Sequence, residues 1–434
     1  MTPLTAVILT VLVGLTIGAK RRTALLAIVV GTLFLTQGQY LTVAGFSLAP
    51  MRILAWVGFV RVVSRGEFSF RNLNKIDWAL TVLYVFMTLI LLTRDEEAVP
   101  LRIAKLLDVL CCYFAARGLV ADTSDFRWLL KTLPFLLVPY VLLLAIEFTT
   151  HRSAFVLVGG NSVPWVREGK LRCFGSFRHP SLLGSVGATF FPLFIGLYWS
   201  KEYRKHAIIG AATCVAIVLF SNSGGPLSAW ATGVVGWCVW LVRTKMRAFR
   251  IGLVVTIAVL AMVMKAPIWY LIAKVSSITG GTGWHRSYLI DVAVRHLDKW
   301  WLAGMPLKET AGWFPYNLAA TGGADITNQF IAYGLNAGLV AIALSFVLLT
   351  LTFKSLGQNL STARFLRNER DERLLWGLGV MQVVHISNWL GITYWDQFFV
   401  FWLIQLAAIS GITLAAQPRP RPEPARISMV RAAS

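Results

Sequence analysis

Arginine is the residue whose placement carries chemistry in this chain. Arg172 and Arg178 stand in Leu171-Arg172-Cys173-Phe174-Gly175-Ser176-Phe177-Arg178-His179-Pro180, just ahead of an apolar run that begins Ser181-Leu182-Leu183-Gly184. A guanidinium is always charged and presents a fixed fork of donors, which suits it to holding phosphate oxygens in pairs. Beside a helix N-terminus, where free N–H groups and the helix dipole also favour anions, two such arginines make a diphosphate cradle. Arg286, in Trp284-His285-Arg286-Ser287, opens a second polar segment and can fold back over the same mouth. All three arginines suit anchoring to lipid phosphates equally well, and residue type alone does not separate the two roles.

A general base has three candidates. Asp325, in Asp325-Ile326-Thr327-Asn328-Gln329, lies where a polar cluster meets an apolar run, and Asn328 beside it can bind substrate. The same cluster serves as an ordinary N-cap just as readily. His179 and His285 follow as second and third choices. Deeper in the chain, Arg102, Lys105 and Asp108 lie on one helical face, and Arg52 and Asp396 fall near the ends of other apolar runs. Charges at such depths should face the bundle interior or water and pair with one another, Lys105 with Asp108 among them. No GxxxxGK[ST], HExxH or CxxC pattern occurs, and with only 20 Asp and Glu there is no acidic run to hold a metal. The residues thus disfavour a nucleotide-driven pump and a metalloenzyme; no cofactor and no metal ligands are expected.

The elements that must position these residues are apolar. Hydrophobic residues make up 56% of the 434 and charged residues 14%, far from the roughly 25% charge of a soluble domain. Segments near 4–19, 23–39, 46–62, 77–93, 101–120, 128–148, 181–199, 207–221, 226–242, 251–265, 328–353, 374–391 and 397–415 are each apolar enough to span a bilayer. The expected fold is an all-α, polytopic membrane bundle of 12–13 spans occupying residues 1–416. The 46–62 segment, with Pro50 and Arg52 inside it, is the least regular of these.

Net charge is +21, but most of it falls in short connections: Lys20-Arg21-Arg22, Arg61 to Lys75, Lys201 to Lys205, Arg243 to Arg250 and Lys354 to Arg373. The connections near 40–45, 222–225 and 392–396 carry no basic residue. That alternation places the N-terminus outside and the C-terminus in the cytoplasm. It also assigns the charge to orientation and anionic lipid, not to nucleic acid. Cys173 alone of five cysteines falls in an outer loop, so no external disulfide is expected.

Only the loops 149–180 and 266–327 are long enough to build a site, and both fall on the outer side. In the second, Tyr288, Leu289, Val292, Ala293, His296, Leu297 and Trp300 follow helical spacing. The pattern predicts a surface helix from Trp284 to Trp301, lying on the membrane with Trp300 and Trp301 at the headgroups. Residues 417–434, with Pro418, Pro420, Pro422 and Pro424, read as a disordered cytoplasmic tail.

In order, Arg172 to Pro192, Ser221-Asn222-Ser223-Gly224-Gly225-Pro226, Trp284-His285-Arg286 through Gly304, and Thr327-Asn328-Gln329 through Gly338-Leu339 resemble the O-antigen ligase and polymerase superfamily. The resemblance covers roughly residues 170–350. It implies a metal-independent, inverting glycosyltransferase of the bacterial inner membrane, working at the periplasmic face on polyprenyl-diphosphate-linked glycan. The acceptor is then another lipid-linked glycan in polymerases or the core glycolipid of lipopolysaccharide in ligases, and a chain-length regulator is a possible partner. By motif position the diphosphate falls to Arg172 or Arg178 together with Arg286. Of two departures, the first shifts the reading toward a polymerase of O-antigen or exopolysaccharide type, or a divergent relative with another base, and leaves loss of catalysis open. Ligases place a histidine immediately before the asparagine, where this chain has Thr327, and many relatives carry an arginine in the junction that here reads Ser223-Gly224-Gly225. A transporter of lipid-linked sugar and a non-catalytic assembly scaffold are the alternatives from other classes. No internal repeat is evident, and the polar loops lie on one side instead of at the midplane, which counts against a transporter.

Overall fold

The computed structural model describes residues 1–43, 46–94, 97–167, 169–279, 283–314 and 322–416. The proline-rich segment 417–434 lies outside the described residues. The fold is all-helical: α1 (Pro3–Gly18), α2 (Arg21–Phe34), α3 (Pro50–Ser64), α4 (Lys75–Leu92), α5 (Val99–Leu119), α6 (Thr123–Thr150), α7 (Pro180–Tyr198), α8 (Arg204–Ser221), α9 (Gly224–Cys238), α10 (Met246–Val263), α11 (Leu271–Thr279), α12 (Gly283–Arg295), α13 (Leu297–Trp300), α14 (Gln329–Phe365), α15 (Glu369–Trp389) and α16 (Phe399–Ala416). Each apolar segment read from the sequence coincides with a helix. Among the described residues, 6 helical stretches are long and apolar enough to cross a membrane. The helix at 46–62 begins late, because Pro50 occupies its first turn, where a missing N–H costs nothing. Residues ahead of it instead pair as a small antiparallel hairpin, β1 (Leu41–Val43) with β2 (Phe46–Leu48).

At the centre stands α7, buried at every position from Pro180 to Leu197 except Ile195. It can be buried on all sides because Gly187 and Gly196 bring neighbouring backbone close and Gly184 admits the Ser221 and Pro226 side chains. A Cβ on Gly187 would stand 2.3 Å from the Cys214 carbonyl oxygen of α8. Tight approach of this kind is how helices pack when lipid supplies no hydrophobic drive between them. In contrast, α10 has no buried residue.

Charge sorts the two ends of the bundle. At one end Arg21 and Arg22 pair with Asp125, Arg127 with Asp371, and Arg243 and Arg364 with Glu372. The other end carries the long loops, the first turn of α7 and the junction between α8 and α9.

The loop 266–327 folds on itself. The spacing read as one helix breaks at His296, giving α12 and α13. Its apolar face packs inward: Leu289, Val292, Ala293, Trp300, Met305 and Trp313 form a small core with Ile331 and Leu335 of α14. Trp300 is therefore not at the headgroups; it is buried, and its Nε1–H donates to the Ala293 carbonyl at 2.9 Å. Trp301 remains half exposed. Where this loop docks, α14 is broken at Ala337 and Gly338, the latter at φ 72°. The interrupted backbone is satisfied by the loop: Leu339 N–H donates to Trp301 O at 2.7 Å and Met305 N–H to Leu335 O at 2.9 Å.

Candidate functional site

The loop 149–180 is tied down by hydrogen bonds to segments distant in the chain. A hairpin, β3 (Trp165–Arg167) with β4 (Lys170–Arg172), turns at Gly169 with φ 71°. It is tied to the α8–α9 junction, where Cys173 N–H donates to Phe220 O at 3.0 Å and Asn222 Nδ2 to Leu171 O at 3.2 Å. From below, the buried Glu147 of α6 accepts from Phe174 N–H at 2.9 Å, Gly175 N–H at 3.2 Å and Ser153 Oγ at 3.1 Å. Arg172 is thereby fixed, buried, with Nη2 donating to Ser223 Oγ at 3.0 Å; that hydroxyl in turn meets Ser181 Oγ at 2.8 Å.

Arg286 arrives from α12 in the second loop. Its guanidinium lies across two glycines, so that a Cβ on Gly225 would stand 2.9 Å from Nη2 and one on Gly391 3.0 Å from Cζ. It has no carboxylate partner among the described residues. Burial first, then the nearby Arg167 and Arg172, lower its pKa, yet a guanidinium stays charged at neutral pH. Three positive charges thus converge. Arg167 has no distinguishing sequence motif, and only the hairpin brings it here.

His179 is the N-cap of α7: Ser181 N–H donates to its Nδ1 at 3.0 Å. The lone pair is spent there, which leaves the proton on Nε2. Burial, with Arg172 and Arg167 alongside, pushes the imidazole down to about 4, so it stays neutral. This residue is set up to donate to an anion, not to accept a proton. His285 stacks on Phe314 with ring centroids 4.3 Å apart, and its Nε2 lies 3.4 Å from the main-chain oxygen of Asp325. Burial lowers its pKa, opposed by Asp325. Asp325 itself is exposed at the rim. Asn328 is buried and caps α14, its Oδ1 accepting from Phe330 and Ile331 N–H groups at 3.0 and 3.2 Å. That geometry gives it a structural task at the position where the sequence suggested substrate contact.

Arg178 turns away from Arg172. Its Nη2 donates to Gln37 O at 2.7 Å, its main-chain N–H to Asp396 Oδ2 at 3.0 Å, and its Nε lies 3.6 Å from Asp396 Oδ1. Asp396 is the carboxylate that sequence reasoning left as a mere span-end charge. It precedes α16 at φ 60°, its side chain is fully buried, and Oδ1 has no hydrogen-bond partner among the described residues. Burial raises it to about 6, against the lowering effect of Arg178.

A slot of about 220 Å³ opens below Arg286. Its lining mixes polar groups, Arg286, Ser181 and Asn388, with apolar ones, Leu271, Val275 and Leu390. No protein-family model matches the chain, and no curated protein matches it.

Proposed function

We propose that this protein is a membrane glycosyltransferase of cell-surface polysaccharide synthesis that polymerises polyprenyl-diphosphate-linked oligosaccharide at the periplasmic face. One observation carries the reading: Arg172 and Arg286, from separate long loops, converge with Arg167 beside a slot whose lining includes Arg286 together with apolar side chains. Like charges held together are stabilised by an anion between them. A diphosphate head on a prenyl chain matches both the cationic and the apolar parts of that lining. The sequence resemblance to O-antigen polymerases and ligases agrees with this chemistry, and the ligase-type histidine is absent at Thr327.

In the reaction, an acceptor hydroxyl attacks the anomeric carbon from the face opposite the diphosphate. The new C–O bond forms as the old one breaks, and polyprenyl diphosphate leaves with the electron pair. Arg172 and Arg286 stabilise that growing negative charge, and His179 Nε2–H adds a neutral donor. The hydroxyl proton passes to Asp396, which we prefer as base to the exposed Asp325 because a buried carboxylate near neutrality is matched to proton transfer. In-line positioning of two bound glycans supplies much of the acceleration.

The test is transfer by purified protein in nanodiscs given a polyprenyl-diphosphate oligosaccharide of its host, with products resolved by size. A ladder of longer lipid-linked chains is expected, lost in Arg286→Gln and in Asp396→Asn but retained in Asp325→Asn. Product formed only after addition of core glycolipid would make the protein a ligase. No product with either acceptor would overturn the enzymatic reading in favour of a transporter or scaffold.

A further inference from the structure

Between α4, α5 and the start of α14 lies a cleft of about 890 Å³ that the arginine cluster does not occupy. Arg102, Lys105 and Asp108 of α5 all line it, as their shared helical face requires. The pairing differs from the one expected within α5. Asp108 binds Arg52 at 2.7 Å, and Lys105 binds Glu97 at 2.7 Å. The third carboxylate on the wall, Asp396, has Arg178 beside it. Among the described residues, the acidic groups lining the cleft are therefore accounted for; Lys308 on the same lining is exposed to solvent, and Arg102 is the buried cation left over. It is only 3% exposed, and its Nη1 has no hydrogen-bond partner among the described residues.

We propose that this cleft binds an anionic saccharide, with Arg102 pairing an acidic group on the sugar and the aromatic wall covering the sugar faces. A guanidinium withdrawn from water with no counter-ion among the described residues is a standing demand for an oxyanion, and its fork fits a carboxylate with two hydrogen bonds. Tyr84, Tyr333, Trp395 and Trp402 supply flat apolar surfaces for the C–H faces of pyranose rings. Gln329 and Asn336 supply amides for hydroxyls. The volume lies within the about 300–1,000 Å³ of small-molecule sites and has room for a short oligosaccharide. Asp396 on the same wall puts a proton acceptor beside a bound hydroxyl. The inference rests on the glycosyl-transfer reading: the cleft holds the acceptor, and an acidic sugar such as a hexuronic acid belongs to the repeat unit.

Binding is measured separately from transfer, by tryptophan fluorescence of the full chain in zwitterionic nanodiscs. Three probes are titrated: a uronic-acid oligosaccharide without lipid, its carboxyl-reduced neutral counterpart, and polyprenyl diphosphate alone. The acidic oligosaccharide is expected to bind the wild type and Arg286→Gln alike, and Arg102→Gln on the order of tenfold or more weakly, the scale of a lost ionic hydrogen bond. Polyprenyl diphosphate is expected to show the reverse dependence. Equal binding of acidic and neutral probes, or an unchanged affinity in Arg102→Gln, overturns the proposal. If polyprenyl diphosphate is the probe that needs Arg102, the anion is a lipid phosphate and the acidic-sugar assignment falls. Should Arg102→Gln fail to fold, a diazirine-bearing acidic oligosaccharide cross-linked to wild type decides. Adducts on α4, α5 or the start of α14 support the site, and adducts confined elsewhere overturn it. Specific binding without any transfer would leave the site standing and overturn the enzymatic reading, so the two failures are distinguishable.

Discussion

At the residue scale, the site depends on two glycines as much as on its arginines. Gly225 and Gly391 press the Arg286 guanidinium from two sides, and neither has a positive φ, so space is what each supplies. Gly225→Ala and Gly391→Ala put a methyl group 2.9 and 3.0 Å from the Arg286 guanidinium, closer than van der Waals contact, so this flexible side-chain end moves while the backbone stays. Transfer is expected to fall on the order of a hundredfold, the usual effect of an ångström-scale misplacement, with little change in Tm. Normal rates in both variants would show that the guanidinium has no required position. The junction that reads Ser-Gly-Gly here is thus a seat for an arginine delivered from another loop.

At the level of elements, Glu147 links helix to loop. Its carboxylate reaches from the end of α6 to two consecutive N–H groups in the turn that carries Arg172 and Arg178. Replacing it with alanine leaves buried donors unmet, at about 1–3 kcal/mol for each. Glu147→Ala is expected to melt at lower temperature and to lose transfer together with stability, while Glu147→Gln keeps one acceptor oxygen and loses less. An unchanged melting temperature in Glu147→Ala would disprove this anchoring role. The break in α14 shows the same logic. Gly338 accepts a left-handed backbone so that residues 301–305 can enter, and a Cβ there would lie 2.3 Å from Leu302 O. The sequence marks both positions only as an acid in an apolar run and a glycine in another.

For the whole molecule, the ion-paired end and the loop-bearing end follow the alternation of charge along the chain. The outside N-terminus expected from charge alternation would put the loop-bearing end at the periplasmic face. The check is labelling of intact cells by a membrane-impermeant maleimide, in a Cys238→Ser background because the other four cysteines are buried. Val163→Cys, 65% exposed in the first outer loop, is expected to react. Phe365→Cys, 87% exposed at the far end of α14, is expected to react only after the membrane is opened. The opposite pattern would invert the topology and place the arginine cluster in the cytoplasm.

Hydropathy alone determined the helices, because a backbone in lipid must satisfy its own hydrogen bonds and an apolar run of that length has few other options. Charge spacing determined which loops share a side, and residue type marked Arg172, Arg178 and Arg286 as the cations to watch. Only the tertiary structure decided which of these meet. It separated Arg178 from Arg172, brought Arg167 in through a hairpin, and showed His179 to be a cap. It also paired Asp108 with Arg52 from another helix. Contacts of that kind join residues far apart in the chain, and their geometry is set by packing between helices, which no local pattern encodes.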